Sequence, residues 1–275
     1  MNKKGVIDVN KKGVIDVNKK GVIDVRRRVL YIVPVVSESE LADFYKGYLS
    51  QFKGPETELE VTSLTEGARH LEYYSYGALA VPKILKIIKE AEKENFDAAI
   101  IGCFDDPGLR EAREIAEKLV VTAPAEASMH IAVTLGQRFS IIVGRTKWIP
   151  LMRENVIKYG FLDHLASFQA IGMGVLDLQK DPEETKRRIV QAAEKAIEQD
   201  GAEVIILGCT HQFGFYQELQ SALGVPVIDA ALAALNYAEF LVDLRNKHGW
   251  YFNKKNEYLP PPHEEIEAWK LSDLF

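Results

Sequence analysis

Cys103 and Cys209 are the only cysteines in the chain, and they stand in matching contexts. Each closes a short apolar run with a Gly-Cys step, over 97–103 and 203–209, and each has a glycine five residues later, Gly108 and Gly214. Two thiols delivered by matching segments fit one site with a reactive group on either face. Such a site can take a proton from one side of a carbon and return one to the other. A lone cysteine ending an apolar strand is more often a core residue, whereas a matched pair in corresponding turns favours chemistry. Zinc fits poorly, because Cys209 and His211 lack the usual ligand spacing and no second Cys or His pair completes four ligands.

The elements that must hold these thiols read as alternating strands and helices. Val29–Val33 is an apolar strand followed by a loop over Pro34–Ser39, and Ala98–Gly102 is the strand before Cys103. The spacing of Ile84, Ile87, Ile88 and Ala91 predicts a helix over Pro82–Glu94, and Leu109, Ala112, Ala116 and Leu119 predict another. The second half repeats the order, with a strand at Phe139–Val143, a helix over Pro182–Gln199 and the strand Val204–Leu207 before Cys209. A helix over Phe215–Leu223 and a strand at Val225–Ile228 follow. Alternation of this kind implies parallel sheets with helices on both faces, arranged here as two similar α/β lobes. Ligands of such sheets collect at the carboxyl ends of the strands, where both cysteines fall. Glycine before each cysteine permits a tight turn and close approach of a substrate, and the positive end of a following helix favours thiolate.

Composition narrows the possible classes. A chain of 275 residues, 47% of them hydrophobic, can bury a sizeable core. Two cysteines are too few for a disulfide scaffold, which points to a reducing cytoplasm. The formal charge is −6 even though residues 1–28 hold nine basic side chains against three aspartates. The body is therefore strongly acidic, which argues against a nucleic-acid partner. No stretch approaches the length of a membrane-spanning helix. The unit Asn-Lys-Lys-Gly-Val-Ile-Asp-Val occurs three times without variation over 2–25. It is too short to stack as a solenoid, and its charges interrupt every apolar stretch before signal-peptide length. Residues 1–25 read as an appendage, a tandem duplication of coding sequence or an expression scar.

Several segments in order carry a specific resemblance: Ser75–Pro82, Ile101–Gly108, Glu126–His130, Leu135–Ser140, Leu207–His211 and Pro226–Asp229. Through them the chain resembles the aspartate/glutamate/hydantoin racemase superfamily, closest to its hydantoin and allantoin racemase branch, over residues 29–245. The resemblance implies two Rossmann-like lobes related by a pseudo-twofold axis, with the active site in the cleft between them. On that basis residues 26–120 with 225–250 form the first lobe, 121–224 the second, and 251–275 a C-terminal extension. It further implies a cofactor-independent racemase or epimerase, with neither metal nor pyridoxal phosphate, and a homo-oligomer. Cys103 and Cys209 would exchange acid and base roles for the two enantiomers, and His211 would assist the neighbouring thiol. Pro34, Ser37, Phe104, Asp105 and Thr210 are the expected substrate-binding residues. Asp106 is expected to cap the helix after Pro107 and Asp229 the helix after its own strand, while Met129 and His130 are expected to pack.

Two departures from that branch bear on the substrate, taken to be a small molecule with an acidic carbon beside a carbonyl. Where hydantoin racemases typically carry Asn-Pro-Asn-Thr after the first strand, this chain has Val33, Pro34, Val35 and Val36. Where they usually have Gly-Cys-Ala-Gly-Met, it has Gly-Cys-Thr-His-Gln. Thus the scaffold and thiol pair are kept while substrate contacts change. Related reactions of the superfamily, cis-trans isomerisation and decarboxylation, are alternatives, as is a non-catalytic ligand-binding protein on the same fold.

Overall fold

The computed structural model describes residues 26–37 and 39–271, so the octapeptide repeat lies outside the described residues. Strands β1 (Arg27–Val36), β2 (Thr57–Leu64), β3 (Ala98–Ile101) and β4 (Val120–Thr122) form one parallel sheet in the order β2-β1-β3-β4. Strands β5 (Phe139–Val143), β6 (Leu165–Ala170), β7 (Val204–Leu207) and β8 (Val227–Asp229) form a second, ordered β6-β5-β7-β8. The second order is the first repeated with each strand replaced by its counterpart in the later half. The central strands β3, β5 and β7 are buried throughout and β1 is buried from Val29 to Val35, as apolar runs covered on both faces must be.

Several elements had no counterpart in the sequence expectation or differ from it. Helix α1 (Ser39–Ser50) buries Tyr45 and Leu49, one helical turn apart, and leaves most of its remainder to solvent. β2 and β6 are edge strands with partly exposed faces, so neither reads as an apolar run. Helix α2 spans Tyr74–Lys93, with Pro82 inside it instead of at its start. Helix α3 stops at Ile115. The next backbone N–H groups, of Glu117, Lys118 and Leu119, donate to Glu92 Oε1 on α2 at 2.8, 2.6 and 3.1 Å, which holds the bend that leads into β4.

Helices α4 (Pro124–Leu135) and α8 (Ala230–His248) exchange lobes. α4 follows the first sheet but packs on β7 and β8, while α8 follows the second sheet and packs on β1, β3 and β4. They also pack on each other, and buried alanines, among them Ala125, Ala127 and Ala132 on α4 and Ala230, Ala231, Ala234 and Ala238 on α8, allow close approach. This pattern corrects the lobe boundaries. β4 carries the first sheet to Thr122, past the expected end at 120, and β8 pairs with β7 in the second sheet, so only the helix after Asp229 returns to the first lobe. Register explains the assignment: Ile205, Ile206 and Leu207 pair with Val227, Ile228 and Asp229.

Helices α5 (Ile149–Lys158), α6 (Pro182–Glu198) and α7 (Tyr216–Leu223) complete the second lobe, and α9 (His263–Ala268) lies in the C-terminal extension. That extension packs on the first lobe. Tyr251 Oη donates to the Leu119 carbonyl at 2.8 Å, Lys254 Nζ to that of Glu114 at 3.2 Å, and Phe252 lies 4.4 Å under the Arg113 guanidinium. Among the described residues no helix is long and apolar enough to cross a membrane.

Candidate active site

The two cysteine turns are built alike. Past the ends of β3 and β7, Gly102 N–H donates to the Ile32 carbonyl and Gly208 N–H to that of Ile142, each at 2.8 Å, so each glycine extends its ladder by one bond. Neither position has room for a side chain. A Cβ on Gly102 would sit 2.4 Å from the Tyr31 ring, and one on Gly208 would sit 2.6 Å from Ile141 Cγ2 and 3.0 Å from the Ile142 carbonyl oxygen. Glycine is thus required by side-chain packing from the neighbouring strand. Beyond the turn, the backbone N–H of the residue two places on favours charge on each sulfur: Asp105 for Cys103, and His211 for Cys209.

Both sulfur-bearing residues line one cavity of about 540 Å³, counting its open mouth. Its floor is the end of β1. Pro34 cannot donate to the ladder, the register with β2 shifts between Val33 and Val36, and Val33, Pro34 and Val35 face the cavity. Phe104, Asp105, Thr210 and His211 line it too, whereas Ser37 is not among the lining residues. The long connection after β2 supplies Arg69, His70, Leu71 and Glu72, and the second lobe supplies Trp148, Met152 and Val175. None of these seven stood out in the sequence. Glu72 pins its connection to the opposite lobe, accepting from Val175 N–H at 3.0 Å and Arg145 Nη1 at 2.9 Å.

Several side chains do different work from that expected. The Thr210 hydroxyl donates to the Gly102 carbonyl at 3.2 Å, tying the two cysteine turns together. The His211 ring shares a 3.1 Å hydrogen bond at Nδ1 with Tyr45 Oη, and burial lowers its pKa to about 4, so it is a neutral imidazole. Asp106 caps α4 and not α3: its carboxylate accepts from Ala125 and Glu126 N–H and from Tyr159 Oη, all at 2.9 Å. The N-cap of α3 is Gly108, at φ 73°. Asp229 caps α8 as expected, accepting from Ala231 and Leu232 N–H at 2.9 and 3.1 Å, with Tyr48 Oη at 2.7 Å. Met129 is fully buried in α4, and the His130 ring stacks on Tyr237.

Burial dominates the electrostatics. It pushes the Cys209 thiol up to about 12 against the opposing His211 N–H. It also raises Cys103 well above the ordinary thiol range; the Asp105 charge adds to this, and the Asp105 N–H opposes it. In the free protein both sulfurs are therefore thiols at neutral pH, and any pull of a following helix is outweighed. Asp105 is itself raised to about 7 by burial, and its Oδ1 has no hydrogen-bond partner. Chemically, this is a pair of neutral thiols, each with a backbone donor ready for a thiolate, around a largely apolar chamber.

The chain matches the Asp/Glu/Hydantoin racemase family over residues 42–238. It is 35% identical over 208 residues to hydantoin racemase of Pseudomonas sp. (strain NS671), covering 74% of this chain and 83% of that one. It is 34% identical to hydantoin racemase of Paenarthrobacter aurescens, covering 86% and 99% of the two chains. Among solved structures, allantoin racemase from Klebsiella pneumoniae superimposes with a TM-score of 0.79 at 30% identity, over 86% of this chain and 94% of that one.

Proposed function

The chain belongs to the Asp/Glu/hydantoin racemase family and is an isomerase, and from that premise we propose that Cys103 and Cys209 racemise a hydantoin-like ring without a cofactor. The observation that carries this reading is the pair of thiols from equivalent turns of the two lobes, lining one cavity. One sulfur, as thiolate, takes the proton from the carbon beside the ring carbonyl; the electron pair passes into an enolate, and the opposite thiol protonates the other face. The second enantiomer reverses the roles. Two thiolates across one small chamber repel, so the working pair shares one proton. The Asp105 and His211 N–H groups stabilise whichever sulfur is ionised. The valines at 33 and 35, with Leu71, Met152 and Val175, suit an uncharged ring better than an amino-acid carboxylate.

The reading is tested by following optical activity of enantiopure 5-methylhydantoin, allantoin and L-aspartate with the wild-type protein. Hydantoin signal decays above the uncatalysed rate, and aspartate is unchanged. Racemisation of aspartate alone contradicts the proposed substrate class.

Asp105 adds a pH dependence. Its ionised carboxylate raises the Cys103 and Cys209 pKa values, which opposes thiolate. Asp105→Asn removes that charge and lowers both thiol pKa values, so the rising limb of kcat/KM against pH moves to lower pH. An unmoved limb shows that the carboxylate does not act on the thiols.

A further inference from the structure

The His211 ring borders the thiol cavity from the turn that carries Cys209, and only one of its nitrogens is engaged. Nδ1 meets Tyr45 Oη at 3.1 Å. Among the described residues Nε2 has no hydrogen-bond partner, yet it is not sealed off as Tyr31 Oη and Asp105 Oδ1 are. The turn itself is held in place: Gln179 Nε2 donates to the His211 carbonyl at 2.7 Å, and Gln212 N–H to that of Cys209 at 2.9 Å.

Which nitrogen carries the ring proton follows from the buried phenols behind it. Tyr31 and Tyr45 stack at 5.3 Å and are 0% and 1% exposed. Burial raises both hydroxyls well above the ordinary phenol range, so each keeps a proton that needs an acceptor. The Thr210 hydroxyl neighbours both phenols and gives its own proton to the Gly102 carbonyl. Its oxygen is left to Tyr31, which has no hydrogen bond of its own, whereas Tyr45 has Nδ1 at hydrogen-bond distance. Tyr45 O–H therefore donates to His211, and the neutral imidazole carries its proton on Nε2.

We propose that His211 Nε2–H donates a hydrogen bond to the substrate oxygen that becomes the enolate, and that Tyr45 is the positioning residue keeping the proton on that edge. The inference rests on the two-thiol, hydantoin-like reading above, and it replaces assistance to Cys209 as the role of this ring. As a thiolate takes the proton, the electron pair moves onto the carbonyl oxygen, and a donor already aimed there strengthens as charge develops. A ring that stays neutral lends the hydrogen bond without giving up its proton. The other donors on the wall are less suited: the Thr210 proton is taken by Gly102, and Arg69 is exposed. One donor then serves both enantiomers, because the enolate oxygen is the same whichever sulfur forms it.

The experiment adds His211→Leu to Cys103→Ser and to Cys209→Ser and follows exchange at the stereocentre of each 5-methylhydantoin enantiomer in deuterium oxide. The backbone N–H beside Cys209 is kept in all of these. Exchange falls by roughly 10²–10³-fold in both backgrounds, the loss typical of one oxyanion donor. Loss confined to Cys103→Ser, where Cys209 is the base, overturns the proposal and makes the ring a partner of that sulfur. A second readout needs no turnover. Nitrogen NMR of the labelled wild-type protein finds the His211 proton on Nε2, and 5,5-dimethylhydantoin, which has no proton to lose at that carbon, shifts the Nε2–H signal. Tyr45→Phe abolishes the tautomer preference and lowers kcat with KM nearly unchanged. A proton on Nδ1, or an Nε2 signal unmoved by saturating analogue, overturns the proposal; the expected tautomer and shift without any exchange support it and reject the proposed reaction.

Discussion

Cys103→Ser and Cys209→Ser each lose roughly 10²–10⁴-fold in racemisation, the range typical of a positioned acid or base. A serine hydroxyl keeps the shape of the turn but does not ionise near neutral pH. Each variant therefore lacks one base while keeping the other. Cys103→Ser still lets Cys209 remove a proton from one enantiomer, and Cys209→Ser spares exchange from the opposite one. The asymmetry between the variants distinguishes a proton-transfer role from simple damage, because the glycines of both turns are packed alike against the neighbouring strand. Thermal unfolding close to wild type checks that the fold is intact. Racemisation at the wild-type rate in either variant shows that its sulfur is not an acid or base.

Arg113→Met destabilises the protein by about 3–5 kcal/mol, the usual penalty for leaving one member of a buried ion pair alone. The Arg113 guanidinium is buried on α3. It donates Nε to the Val121 carbonyl at 3.0 Å and Nη1 to Glu126 Oε1 at 2.8 Å, and Nη2 completes a fork onto Glu126 Oε2. Removing it strands the Glu126 carboxylate and a backbone carbonyl, and takes away the cation over Phe252 that holds the C-terminal extension. The double substitution Arg113→Met with Glu126→Met removes the stranded charge and recovers much of the loss. Urea unfolding of the single and double variants measures both effects. A double variant no more stable than the single one shows that the lost energy lay in packing and not in the charge.

The cysteine strands and their glycines were legible because a fully buried parallel strand is an apolar run and a Gly-Cys step is a local signal. The same locality hid β2 and β6, whose half-exposed edge faces dilute the pattern. It also hid Leu71, Glu72 and Trp148, which reach the thiols only through tertiary folding across the lobes. Asp106 looked like a cap for the helix that follows it in sequence, yet it caps α4, whose N–H groups lie 19 and 20 residues on. The exchange of α4 and α8 between lobes is equally silent in a linear pattern, since each helix has ordinary small-residue composition whichever sheet it covers. Thr210 and His211 line the cavity, but their hydrogen bonds, to Gly102 and Tyr45, belong to partners more than a hundred residues away.

We propose that two sulfurs work from opposite faces of one carbon. The most direct test of this is wild-type turnover of a single enantiomer of 5-methylhydantoin in deuterium oxide, stopped early and analysed by mass after chiral separation. Two bases predict that the newly formed enantiomer carries deuterium from its first appearance while the recovered starting enantiomer remains protiated. Protium retained in the product, returned by the same group that removed it, contradicts the account.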